Sequence, residues 1–110
     1  MLKLYDDLNY SGNPVPVSGY VPDLQARAPG NWVARSCKYV CISATLYAVV
    51  DPHARAPADQ GRTLKVKYIG RRNDLEYVPQ SALTYPPGRT ARPTDPPFRV
   101  RAAETSLSFF

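Results

Sequence analysis

The stretch KLYDDLNYSGNPVPVSGY, residues 3–20, governs how the rest of the chain is read. Lys3 to Tyr5 reads as a strand and Asn9 to Gly12 as a turn. Val15 and Val17 then alternate with Pro14 and Pro16 in a second strand. Proline cannot donate to a sheet ladder, so this second strand belongs at an edge. Two short antiparallel strands joined by a Gly- and Asn-bearing turn open an all-β chain.

Composition extends that reading. The chain has 110 residues, 44% hydrophobic and 21% charged, which is one domain's worth of sequence. Twelve prolines and eight tyrosines, with one methionine and one tryptophan, argue against a helical bundle and for short strands with many turns. No apolar run approaches the roughly 20 residues of a membrane helix, and MLKLYDDLNYSG lacks a secretory pattern. The expectation is a virion or cytoplasmic location, with no membrane partner.

Working outward, VPDLQARAPGN (21–31) is a loop with a short turn around Asp23 to Ala28. Trp32 to Val50 contains neither Gly nor Pro and predicts two strands with a bend between them. DPHARAPADQG (51–61) reads as an exposed loop. TLKVKYIG predicts a strand with Leu64, Val66 and Tyr68 on one face. A turn at Gly70 to Asn73 and a returning strand, LEYVP, would complete a hairpin. Six of the twelve prolines fall between residues 79 and 97, so the expected division is a β domain over 1–85 and an extended arm over 86–110. The fold class is therefore all-β: a small antiparallel Greek-key sandwich or barrel with a Pro-rich C-terminal arm.

The formal charge is +5, and residues 31–110 hold twelve of the fourteen bases. Ten of the fourteen are arginines, suited to planar contact with carboxylates or phosphates. Nucleic acid is not the expected partner, because Arg71 and Arg72 are the only adjacent basic pair and no recognition-module motif is present. Cys37 and Cys41, four apart on a strand, would lie about 13 Å apart and should be unpaired and buried. His53, the only histidine, stands in a loop without a second cysteine pair, so no zinc site is expected.

Catalytic patterns are absent from the sequence: there is no G-x-S-x-G elbow, no phosphate loop and no H-E-x-x-H. Asp6 with Asp7, and Asp74 with Glu76, are the close acid pairs, and both read as solvated surface groups. The expectation is no enzyme and no cofactor.

Two resemblances add to this. Tyr5, an aromatic five residues on (Tyr10), a glycine seven on (Gly12) and a serine thirteen on (Ser18) resemble the Greek-key motif of the βγ-crystallins. The resemblance implies a folded hairpin in which an aromatic packs over the turn, glycine supplies a special backbone conformation and Ser18 ties the hairpin down. It continues to about residue 40, where Asn31, Ser36 and Lys38 match the family's N-D-x-x-S-S region. That stretch carries calcium ligands in the family, but here Trp32 and Arg35 occupy ligand positions, so no calcium is expected. Residues 63–85 resemble the last strands of an SH3-like or Tudor-like barrel, a hairpin followed by V-P-x-S and a helical turn.

These features point to a non-catalytic assembly protein, such as a small phage virion subunit of the decoration, cement or connector type. Arg89, Arg92, Arg99 and Arg101 would meet acidic groups on neighbouring subunits, and Phe98, Phe109 and Phe110 would serve as apolar anchors in trans. The alternative is a βγ-crystallin-like binding module such as a peptidase inhibitor presenting the 51–61 loop.

Overall fold

The computed structural model describes residues 1–28, 32–48, 62–85, 88, 90–93 and 97–107. Six strands, β1 (Leu2–Tyr5), β2 (Pro14–Val17), β3 (Tyr20–Val21), β4 (Ser36–Tyr47), β5 (Thr63–Asn73) and β6 (Ala102–Leu107), form one antiparallel Greek-key sheet that nearly closes into a barrel. Among the described residues the only helical elements are short 3-10 turns.

β4 is the spine. β5 follows one of its edges from Tyr47↔Thr63 to Ser36↔Asn73. Two strands share the other edge in succession: β1 pairs with Ser36 to Tyr39, and β6 pairs with Ile42 to Tyr47. β2 lies outside β1 and β3 outside β6, so two strands close in sequence sit at opposite ends of the order β2-β1-β4-β6-β3.

The changeover on β4 occurs at a β-bulge. Val40 pairs with Ile69 and Ile42 with Tyr68, leaving Cys41 as the extra residue with φ 56°, opposite Tyr68 with φ 71°. An inserted residue inverts the two-residue alternation of a strand. Cys37 and Tyr39 pack toward the core before the bulge; Ile42, Ala44 and Leu46 do so after it. The expected pair of strands in 32–50 is thus one strand, bent where the extra residue sits. Cys41 is exposed there, whereas Cys37 is buried as expected, and both are free thiols.

The hairpin expected over residues 63–79 does not form. β5 runs straight through Gly70, where a β-carbon would stand 2.5 Å from the Tyr39 hydroxyl oxygen. Glycine is there to admit the ring of its cross-strand partner, not to turn the chain. The break comes at Asp74 (φ 60°), and LEYVP begins with a 3-10 turn over Leu75–Tyr77. Leu75 is fully buried and its N–H donates to Arg35 O at 2.8 Å. The second helical turn, Gln80–Ala82, matches the V-P-x-S element of the SH3-like resemblance, but the returning strand is missing. Leu64 and Val66 face the core, while Tyr68 at the irregular position is exposed.

The boundary expected at residue 86 is also corrected. Phe98 and Val100 are buried, Ala102 and Ala103 are fully so, and β6 sits inside the sheet between β4 and β3. Arg101 N–H donates to Tyr47 O at 2.7 Å, and Leu24 N–H donates to Arg101 O at 2.9 Å. Residues 97–107 therefore complete the protein's own core. Burying Phe98 and Val100 contributes about 1.5–3 kcal/mol each. One hydrophobic cluster joins these residues to Leu2, Leu4, Val15, Val17, Leu46 and Leu64.

Candidate functional site

The outer face of β1, β4 and β5 is built by the same alternation that fills the core. In β1, Leu2 and Leu4 point inward, which leaves Lys3 and Tyr5 outside. In β5, Leu64 and Val66 point inward, and Lys65, Lys67, Ile69 and Arg71 are exposed. On β4 the outward positions are Ser36 and Lys38, then Val40, and after the bulge Ser43 and Thr45.

One end of this face is covered by the folded hairpin. Tyr5 and Tyr10 meet edge to face with centroids 6.5 Å apart. Asn9 (φ 57°) and Tyr10 (φ 59°) fold the connection back onto the sheet. Gly12 has φ +84°, and a β-carbon on it would collide with Asp6 Oδ1. That carboxylate accepts Asn13 N–H at 2.6 Å, so the turn closes on Asp6. Tyr5, Tyr10 and Gly12 thus belong to this turn, while Ser18 is exposed beyond β2 and the hairpin is tied by Ser36. Fully buried under the hairpin, the Ser36 hydroxyl accepts Tyr10 N–H at 3.1 Å and donates to Asp7 O at 2.7 Å. Asn9 and Asn73 add a reciprocal pair, Asn9 N–H to Asn73 Oδ1 at 2.8 Å and Asn73 Nδ2 to Asn9 Oδ1 at 2.9 Å.

The residues at the family's calcium-ligand positions have other work. Trp32 is buried and its indole N–H donates to Asn13 O at 3.0 Å. Arg35 donates to Asp6 O at 2.7 Å and lies 3.3 Å from Glu76 Oε1. Among the described residues no group of three or more His, Cys, Asp or Glu comes together.

Beyond the hairpin the face is basic. Lys3, Lys38 and Arg71 stand in one row across three strands, because Lys3 pairs with Lys38 and Lys38 with Arg71. The Tyr10 ring lies 5.1 Å from Lys38 Nζ and 5.3 Å from the Arg71 guanidinium. Such contacts offset part of the repulsion between cations that face each other across a ladder. Further along β5 come Lys67, whose ammonium is 5.2 Å from the Tyr68 ring, and Lys65. All four lysines of the chain lie on this face. Among the described residues, none of them, nor Arg71, has a carboxylate within ion-pair distance. Glu104, two strands from Lys65, takes the Tyr47 hydroxyl at 3.2 Å, and burial together with that charge pushes Tyr47 up to about 12.

Two further features complete the surface. Val40 and Ile69, cross-strand partners in the middle of the cations, are 49% and 70% exposed. Ser43, Thr45, Lys65 and Lys67 border a shallow hollow of about 310 Å³.

The residues expected to reach a partner are placed differently. Phe98 is buried in the protein's own core, with the Arg62 guanidinium 6.0 Å from its ring. Arg99 lies 3.5 Å from Glu76 Oε2. Arg101 is half-buried between β4 and the Leu24 turn, and Arg92 O accepts from Gln80 Nε2 at 2.6 Å. Arg89, Phe109, Phe110, His53, Asn31 and the 51–61 loop lie outside the described residues. Glu76 is shared by two arginines and Asp6 is held in the turn, so neither acid pair forms a dyad. Sequence reasoning missed the lysine face, since positions 3, 38, 65, 67 and 71 meet only through strand register.

No protein-family model and no curated protein matches the chain. Among solved structures it is similar to one described as "Evolution of the eye lens beta-gamma-crystallin domain fold". The TM-score is 0.64 at 14% identity, over 98% of this chain and 86% of that one. No helix of the described residues is long and apolar enough to cross a membrane. The chain has the βγ-crystallin-like domain fold.

Proposed function

We propose that this protein is a non-catalytic binding module that presents the outer face of β1, β4 and β5 to an acidic region of a protein partner. The supporting observation is the set of five cations without paired acids, arranged around the exposed Val40–Ile69 pair. An apolar centre with a polar rim is the anatomy of a protein–protein contact. Aliphatic side chains at that centre favour a protein over nucleic acid, whose bases would call for aromatic stacking. The reading of a virion subunit rested on a C-terminal arm reaching a neighbour; with residues 97–107 engaged in cis, the binding-module alternative is the better supported of the two.

The test is an NMR titration of the full chain with short poly-L-glutamate at low salt. Shifts confined to β1, β4 and β5 and lost in a Lys38→Glu, Arg71→Glu variant support the reading. Tighter binding of oligothymidylate to the same residues would replace the protein partner with nucleic acid, and no shift with either probe would overturn the assignment. Size separates the module from the virion-subunit reading: a monomer fits a module, and recovery only within a large particle fits a structural subunit.

A further inference from the structure

We infer that the partner segment binds as an added β-strand along the open edge of β5, with acidic side chains at alternating positions; this rests on the acidic-partner reading. β5 is eleven residues long and pairs with β4 along one side only. Among the described residues its other side is met once, at Thr63, which exchanges backbone hydrogen bonds with Thr84 (2.9 and 2.8 Å). An edge of that length offers backbone donors and acceptors to a further strand. An added strand would lie about 4.8 Å away, with every second side chain on the outer face. There it would meet Lys65, Lys67, Ile69 and Arg71 in turn. The complementary segment therefore carries acid, acid, apolar and acid at every second position, read in the direction that matches.

Charges on an edge strand also discourage unwanted pairing. That role alone needs neither an exposed aliphatic pair in their midst nor a third strand contributing Lys3 opposite Lys38. Like charges facing each other across a ladder are destabilising, so this arrangement works against the isolated fold and in favour of an acidic ligand. Main-chain hydrogen bonds would supply affinity and the alternating side chains specificity, as in other strand-addition complexes.

The experiment uses the full-length chain and fluorescence anisotropy with a labelled, acetylated peptide in which glutamates and one valine alternate with threonines. The expected result has three parts. An isomer with its glutamates in one block binds about tenfold more weakly. N-methylation of alternate backbone amides, in the phase that faces β5, costs a similar factor. Lys67→Glu, with its fold checked by circular dichroism, weakens the alternating peptide by at least about tenfold. Equal binding of both isomers with no effect of N-methylation in either phase would overturn strand addition while leaving the acidic-partner reading in place. Failure of every acidic peptide to bind would overturn both.

Discussion

Ser36 Oγ accepts the backbone N–H of Tyr10 at 3.1 Å and returns its own proton to Asp7 O at 2.7 Å, so one hydroxyl from the spine strand pins the folded hairpin at two points. The group has no exposure to solvent, and its loss would strand a backbone donor and an acceptor together. Ser36→Ala should cost about 1–3 kcal/mol in urea unfolding. Ser18→Ala, at the exposed position, should stay within about 0.5 kcal/mol of wild type.

Gly12 and Gly19 both have positive φ, +84° and +72°, but only Gly12 is crowded. Alanine at Gly19 meets nothing within 4 Å and bears only the backbone penalty, about 1 kcal/mol. Gly12→Ala must also displace the Asp6 carboxylate from its bond to Asn13, so its thermal midpoint should fall further than that of Gly19→Ala. Equal losses in calorimetry would remove the argument for Asp6 as the closure of the turn.

The two thiols should behave oppositely. Ellman's reagent should titrate Cys41 in the folded protein and Cys37 only after denaturation. Burial pushes the Cys37 thiol from 9.0 up to about 11, against a smaller opposing pull from Arg72. The unfolded chain thus loses this proton first as pH rises. The stabilisation is complete below about pH 9 and is lost as pH climbs through about 11, roughly 2–3 kcal/mol in all. A Cys37→Ala variant, though weaker at neutral pH, should lack that part of the alkaline decline.

Ending the chain at Pro97 removes Phe98, Val100, Ala102 and Ala103 from the core and leaves β3 without a partner. The truncated protein should have no cooperative unfolding transition by circular dichroism. A folded truncation product would restore the arm as a separate element.

Much of the first half was legible because its signals are local. The alternation of Leu2 and Leu4, the prolines beside Val15 and Val17, and the Tyr5, Tyr10, Gly12 spacing all act within a few residues. Asp23 likewise caps the Leu24–Arg27 turn by accepting Gln25 N–H at 3.0 Å. What failed was set at long range. Gly70 reads as a turn until Tyr39 is seen lying against it, and nothing in SCKYVCISATLY marks Cys41 as the bulge. β6 was hidden because AAETSL holds a single β-former, Thr105, among residues with little strand preference; its alanines are small, and they sit fully buried on the inner strand of a tight sheet. The basic face was hidden for the same reason, as its members are distant in sequence and adjacent only in register.

The placement of β6 also dictates when the molecule can assemble during synthesis. Among the described residues β3, two residues long, hydrogen-bonds to no strand but β6, some eighty positions later. Until residues 102–107 leave the ribosome, the lower half of β4 has one bare flank and the Tyr20–Val21 segment has nowhere to go. Contacts this distant in sequence slow folding, because loop closure precedes any gain from pairing. The nascent chain therefore emerges with the flank of β4 from Ile42 to Tyr47 unpaired, and that flank closes only when Ala102–Leu107 pairs with it and with Tyr20–Val21.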